Sequence, residues 1–351
     1  PSGGEEVYRF IQSNYKRCGV KEVLVVGGAG YIGSHMVKML SKSGFDVTVF
    51  DNLSTGYKSL VKYGKLVVGD LADRPLLEKL FSEHDFQSVI DFAAFSLVGE
   101  SVSEPAKYYR NNVANTLNLL DVMVQYKVMH LVFSSTAATY GNPAYTPIDE
   151  QHQQVPINPY GASKLMVERL LQDYAKAYGL NSVALRYFNA CGADPELELG
   201  EMHDPETHLI PLVLQAASGR LSSIRIFGQD YPTQDGTCIR DYIHVQDLCS
   251  AHQLAMAAML SGALTGAEYF NLGNGAGFTV QQIINVSKDI VGKDGYTINV
   301  QQADRREGDP AELVANSRKI EEILHWKPLY SDIETIIQHA WEWEKRLVGL
   351  H

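Results

Sequence analysis

A glycine-spaced turn between a strand-like run and a helical run constrains this chain more than any other feature. Glu22 to Val26 is short, apolar and β-branched, the texture of a strand buried on both faces. Gly27-Gly28-Ala29-Gly30-Tyr31-Ile32-Gly33 follows, then Ile32 to Lys42 with helical character, and Val47 to Phe50 supplies a second strand. This is a βαβ unit. Leu66 to Val68, Ser88 to Phe92, His130 to Ser134 and Ser182 to Tyr187 continue the alternation of strand and helix. The pattern predicts an α/β fold, a doubly wound parallel sheet of the Rossmann type.

The glycines at 27, 30 and 33 have a physical use at a strand-to-helix turn. They keep the turn tight, let the backbone approach a pyrophosphate and let helix and strand pack closely. The phosphates then meet the positive helix N-terminus. Asp51 ends the next strand, where a carboxylate accepts ribose hydroxyls and repels a 2′-phosphate, so NAD is expected rather than NADP. Tyr31, Ile32 and Asn52 complete the expected contacts of this turn.

Length and charge narrow the partners. The 351 residues allow one large or two cooperating domains. A net charge of −11 without a Lys/Arg cluster argues against nucleic acid. No apolar run approaches the ~20 residues that span a bilayer, so no membrane partner is expected and a cytoplasmic location is. Cys18, Cys191, Cys238 and Cys249 lack the paired spacing of a zinc or redox site; free thiols and no metal centre are expected.

Three regions are anticipated. Residues 1–20 read as an N-terminal extension with a short helix from Glu5 to Arg17. Residues 21–189 plus about 240–274 form the dinucleotide-binding domain, with Tyr242 to Val245 and Tyr269 to Leu272 returning to its sheet. A smaller, interleaved α+β domain, about 190–239 plus 275–351, covers the substrate; its polar, turn-rich opening precedes a helix at Leu209 to Ser218.

Tyr160 and Lys164 stand four apart ahead of the helical run Leu165 to Tyr178. If the helix begins at or before Tyr160, both project from one face. A phenol titrates near ~10, so it needs a neighbouring positive charge to serve as a base near neutrality. Taken alone, such a pair more often marks an exposed helix face. Here it follows Phe133-Ser134-Ser135-Thr136, a strand end at the carboxyl edge, where open α/β sheets place ligands.

The two-residue intervals between glycines resemble the extended branch of the short-chain dehydrogenase/reductase superfamily. From about Lys21 onward the chain resembles the UDP-glucose 4-epimerase family within it. The matching segments are Val98-Gly99-Glu100-Ser101, Tyr187-Phe188-Asn189, Phe227 to Thr233, Arg240 to Val245 and Arg305-Arg306-Glu307-Gly308-Asp309. The resemblance implies an NAD-dependent isomerase that interconverts UDP-galactose and UDP-glucose through a transient 4-keto sugar. Tyr160, Lys164 and Thr136 would be its catalytic set.

The same resemblance assigns Asp70 and Leu71 to the adenine end of NAD and Phe92, Ala93 and Ala94 to its middle. It also implies that Thr136, Asn189, Phe227, Arg240, Arg306 and Asp309 bind the UDP-sugar. Two arginines neutralise a diphosphate, an aromatic packs on uracil and an acid takes ribose hydroxyls. Ser96 stands where many members carry lysine. Leu313, at the position resembling a substrate-size gate, leans the preference towards glucose and galactose over their N-acetyl forms.

A nucleotide-sugar 4,6-dehydratase would need an acid pair after Thr136, where this chain has Ala137 and Ala138. An epimerase for N-acetyl-hexosamine or uronic-acid sugars, and a non-catalytic NAD-sensing protein, stand as alternatives. The resemblance further implies a homodimer joined through helices near Asn112 to Tyr126 and Leu165 to Tyr178. Such apolar stripes more often face their own sheet.

Overall fold

The computed structural model describes residues 21–305 and 309–350. The helix expected at Glu5 to Arg17, together with Cys18 and Arg306, lies outside the described residues. Ten strands come first: β1 (Glu22–Val26), β2 (Asp46–Asp51), β3 (Lys65–Val68), β4 (Phe86–Asp91), β5 (His130–Thr136), β6 (Asn181–Tyr187), β7 (Asn189–Cys191), β8 (Ile224–Phe227), β9 (Ile239–His244) and β10 (Ala267–Leu272). Three short ones follow, β11 (Gly277–Thr279), β12 (Val300–Ala303) and β13 (Glu312–Leu313). The longer helices are α1 (Tyr31–Lys42), α2 (Arg74–Glu83), α3 (Asn115–Gln125), α4 (Pro159–Tyr178), α5 (Leu209–Ser218), α6 (Val245–Leu260), α7 (Val280–Lys293) and α8 (Ile333–Val348).

Seven strands make one parallel sheet in the order β10-β6-β5-β4-β1-β2-β3. Successive side chains alternate between its faces. Val23, Val25, Val132 and Val183 meet α1 and α6 on one side. Leu24, Val26, Leu131 and Phe133 meet α2, α3 and α4 on the other. Covering both faces is what makes these strands continuously apolar, and each fully buried aliphatic side chain contributes about 1.5–3 kcal/mol. The expected doubly wound sheet is therefore present, with the carboxyl ends of β1, β2, β4, β5 and β6 along one edge.

One expectation needs correction. Tyr242 to Val245 does not return to this sheet, which only β10 rejoins, beside β6. Instead β9 forms a separate small sheet with β7, β11 and β13. His244 then caps α6, its ring nitrogen accepting from the Gln246 amide at 3.1 Å, so Val245 is already helical. A short apolar strand carries no record of which sheet it joins; here the edges of β9 are taken by the small sheet's other strands.

The remaining chain packs around a third core, in which Val213 of α5, Ile283 of α7 and Ile336 and Trp341 of α8 are buried together. A two-stranded parallel pair, β8 with β12, flanks it. No helix is long and apolar enough to cross a membrane among the described residues. Cys191, Cys238 and Cys249 are buried.

Candidate active site

The glycine turn is shaped by what surrounds it. A Cβ on Gly27 (φ +75°) would sit 2.7 Å from the Ala93 nitrogen, and one on Gly33 would sit 2.2 Å from the Gly27 carbonyl oxygen. Neither position has room for a side chain, so strand β1, helix α1 and the segment after β4 converge closely. Asp51 locks the turn from the end of β2. Its Oδ2 accepts from the Ala29 amide at 2.9 Å and its Oδ1 from the Leu53 amide at 2.8 Å. Burial pushes its carboxyl up, and those two amides oppose the shift.

The other residues expected at the cofactor border the same edge. Tyr31 opens α1 and donates its hydroxyl proton to the Gly192 carbonyl at 2.6 Å; Ile32 follows it, partly buried against the same core. Asn52 donates to Asp70 Oδ2 at 2.8 Å, and Leu71, next in the chain, is buried in the core. Phe92 lies against the His252 ring, and the Ala93 amide donates to Asp91 Oδ1 at 2.9 Å. Ala94 continues this partly buried segment and Ser96 is exposed. A glycine cradle, an acid at the neighbouring strand end and a helix N-terminus form a set that fits NAD.

Tyr160 and Lys164 do share a helix. Pro159 is the first residue of α4, and Asn158 caps it by accepting from the Gly161 amide at 2.8 Å. The helix therefore begins one residue before Tyr160, not at Leu165. Pro at the first position and Asn at the cap explain the start. Gly161 lets α4 lie against the turn after β5, since a Cβ there would be 2.4 Å from the Ala138 carbonyl oxygen. That contact brings Tyr160 to Thr136.

Thr136 accepts from the Ala138 amide at 3.1 Å and lies beside the Tyr160 phenol. Burial pushes the phenol above its ordinary value, and the Thr136 hydroxyl opposes this. Lys164 is buried and donates to the Ser134 carbonyl at 2.7 Å. Burial lowers its ammonium to about 8, against the raising influence of Asp91 and Glu168. An ammonium lowered to about 8 is still mostly protonated at neutrality, so its charge is available to stabilise a phenolate nearby.

Sequence reasoning missed the supports of this set. Asp91, fully buried at the end of β4, is raised to about 6 by burial, and Lys164 opposes the shift. Its Oδ2 has no hydrogen-bond partner. Glu168, one turn beyond Lys164, accepts from Ser135 Oγ at 2.6 Å and from Arg186 Nε at 2.9 Å. Arg186 also donates to the Tyr140 hydroxyl at 2.9 Å, which in turn donates to Asn271 at 2.6 Å. Only the strand-end position of Asp91 was a signal; the others are separated by 18 to 131 residues in the chain.

The expected sugar-nucleotide residues divide into groups. Asn189 donates to the Asp241 carbonyl at 2.9 Å, tying β7 to β9. Arg240 and Asp309 form an ion pair with each other, with side chains 12% and 27% exposed. Phe227 ends β8, opposite Ala303 of β12 in the two-stranded sheet. Leu313 pairs with Arg240 between β13 and β9. It also packs, with Phe188, against Ala137, Tyr140 and Ile148. Leu313 thus spans from the arginine to the residue after Thr136.

Against known proteins, residues 23–273 match the NAD dependent epimerase/dehydratase family. A UDP-glucose 4-epimerase of Halalkalibacterium halodurans is 50% identical over 323 residues, covering 92% of this chain and 95% of the relative. The crystal structure of the Brucella ovis UDP-glucose 4-epimerase in complex with NAD superposes with a TM-score of 0.88 at 49% identity, over 92% of this chain and 98% of that one. The Bifidobacterium longum UDP-glucose 4-epimerase in complex with NAD+ and UDP gives 0.87 at 36% identity, over 93% and 98%.

Proposed function

This chain belongs to the NAD dependent epimerase/dehydratase family, and on that premise we propose that it interconverts UDP-galactose and UDP-glucose. The observation that carries the reading is the contact of Tyr160 with Thr136, on a helix whose Lys164 is anchored to the same strand. NAD, when bound, supplies the acceptor and later the donor of the hydride at sugar C4. The residues do the rest.

Tyr160 as phenolate takes the proton from the sugar O4 and returns it after the ketose has turned over in the pocket. Thr136 holds that hydroxyl and passes its hydrogen bond to the phenolate oxygen. Lys164 lowers the cost of the phenolate, assisted by the positive nicotinamide. General-base catalysis of this kind is worth about 10²–10⁴-fold. Arg240 grips the diphosphate, with Arg306 as its expected second; Asn189, Phe227 and Asp309 hold the rest of the UDP. The sugar is left free to rotate against Leu313.

Gly27, Gly30, Tyr31, Ile32, Gly33, Asp51, Asn52, Asp70, Leu71 and Phe92 to Ala94 border NAD in this reading, and Tyr160 and Lys164 touch its nicotinamide end. Leu313 favours hexoses over 2-acetamido sugars by occupying space with its branched side chain. A cytoplasmic homodimer completes the proposal. Leu117 of α3 and Met166 of α4 are exposed apolar side chains on the two helices expected at the dimer contact.

The test is incubation of the purified protein with UDP-galactose and no added NAD, following UDP-glucose. Turnover supports both the sugar and retained cofactor. Absence of turnover even with added NAD would remove the hexose reading and leave the N-acetyl-hexosamine, uronic-acid and NAD-sensing alternatives.

A further inference from the structure

Eight residues between β7 and α5 gather side chains that the proposed reaction does not use. In Glu201-Met202-His203-Asp204-Pro205-Glu206-Thr207-His208, two Glu-x-His triplets repeat five residues apart. Each of the four offers one ligand atom, and all four atoms lie within 4.8 Å of one another. The Nδ1 atoms of His203 and His208 converge on Glu201 Oε1 at 2.8 and 2.5 Å. Glu206 faces them, 3.9 Å from His203 Nδ1 and 3.6 Å from His208 Nδ1.

The two acids of this loop are buried beside the two imidazoles. The Glu201 and Glu206 side chains are 5% and 6% exposed. Among the described residues their only ion-pair partners are the two imidazoles. Two buried carboxylates so close repel each other, and each is costly to desolvate unless paired.

A second acidic cluster shows the contrasting case. Asp194, Glu196 and Glu198 surround the Lys38 ammonium at 2.5, 2.7 and 2.8 Å, and Lys42 reaches Glu196 at 2.8 Å. That cluster is closed by lysines. The Glu201 loop has only its own two imidazoles facing the carboxylates among the described residues; Arg220, which borders the same cleft, is paired with Glu344.

We propose that Glu201, His203, Glu206 and His208 form a binding site for a divalent transition-metal ion, Zn²⁺ being the best match. Two imidazoles and two carboxylates are the donor set of a four-coordinate zinc centre, whereas Ca²⁺ and Mg²⁺ favour all-oxygen shells. With bonds of ~2.1 Å a tetrahedron places its ligand atoms roughly 3.4 Å apart, so the Glu201 oxygen would move away from the two imidazole nitrogens, now at 2.8 and 2.5 Å, while the Glu206 oxygens, at 3.9 and 3.6 Å, would close in slightly. Cysteine spacing, on which the expectation of no metal centre rests, is silent about a site built from Glu and His.

The ion would fasten a loop that touches three parts of the molecule. His203 lies edge-on to the Tyr31 ring, with centroids 6.1 Å apart, and Tyr31 follows the glycine turn directly. Trp343 of α8 donates to the Glu201 carbonyl at 3.0 Å. His208 is the cap residue from which α5 starts. Four ligands from one loop make a closed, structural centre, and binding energy at such a centre is stability of the segment it holds.

The experiment strips the full-length, NAD-containing protein with a chelator and titrates it with Zn²⁺ against a chromogenic competitor. One equivalent per chain, with a higher thermal midpoint and no comparable effect of Mg²⁺, is the expected result. His203→Gln and Glu206→Gln should each weaken binding by at least the roughly tenfold that losing even an outer-shell partner costs. Zinc-edge absorption of the wild-type complex, which needs no variant to fold, should show imidazole and oxygen ligands without sulfur. Failure to bind one equivalent, affinity unchanged in both variants, or a sulfur ligand would each overturn the site.

Discussion

Lys164 donates to the backbone carbonyl of Ser134 at 2.7 Å, two residues before Thr136. The same ammonium is thus an anchor, fastening helix α4 to strand β5, and the charge nearest the expected reaction. Changes at either residue of the Tyr160–Lys164 pair should separate these two roles.

Tyr160→Phe removes the proton acceptor and leaves the ring's packing in place. Epimerisation should fall by about 10²–10⁴-fold, the usual worth of a positioned acid–base group. Retained NAD, read from the released nucleotide after denaturation, should match that of the wild type. Turnover close to wild type would take Tyr160 out of the mechanism.

Lys164→Met tests the charge through pH. Burial lowers the folded lysine to about 8 from an ordinary value near ~10.5, so the unfolded chain holds the proton more tightly between those values. Below about 8 the cost of the buried ammonium is fully present. As pH rises towards ~10.5 it is relieved, and this lysine makes stability increase. The difference in thermal midpoint between NAD-free wild type and variant should therefore drift with pH across that window, in favour of the wild type. A flat difference would mean the lysine is not depressed.

Gly33→Ala puts a methyl group 2.2 Å from the Gly27 carbonyl oxygen, a distance that forces the backbone to move. The expected outcome is a loss of about 1–3 kcal/mol in stability, as for other overpacked sites, with NAD lost on gel filtration. Thermal denaturation and the absorbance of the eluted protein measure both. Gly44→Ala, where no atom lies within 4 Å but φ is +90°, should cost stability alone.

Leu313→Ala shortens the side chain that packs with Phe188 beside Ala137. The ratio of kcat/KM for UDP-N-acetylgalactosamine over that for UDP-galactose should rise by about tenfold or more, the scale of a 1–3 kcal/mol pocket change. An unchanged ratio from competition assays would place the size limit elsewhere.

What the sequence determined is local. Strand β1, the glycine turn, the Asp51 strand end and the bounds of α5 follow from hydrophobic runs, backbone freedom and capping residues, all read within a few positions. Tyr160 and Lys164 were legible for the same reason: four residues on a helix are neighbours wherever that helix goes. Tertiary structure decided what depends on distant partners. Choosing a separate sheet for β9, closing the Arg240–Asp309 ion pair and placing Leu313 beside Ala137 needed chain segments 36 or more residues apart to meet. Asp91 looks like any strand-end acid until burial leaves it with Lys164 as its countercharge. Short-range sterics and hydrogen bonding are written in adjacent residues, whereas desolvation and ion pairing exist only once the fold has excluded water.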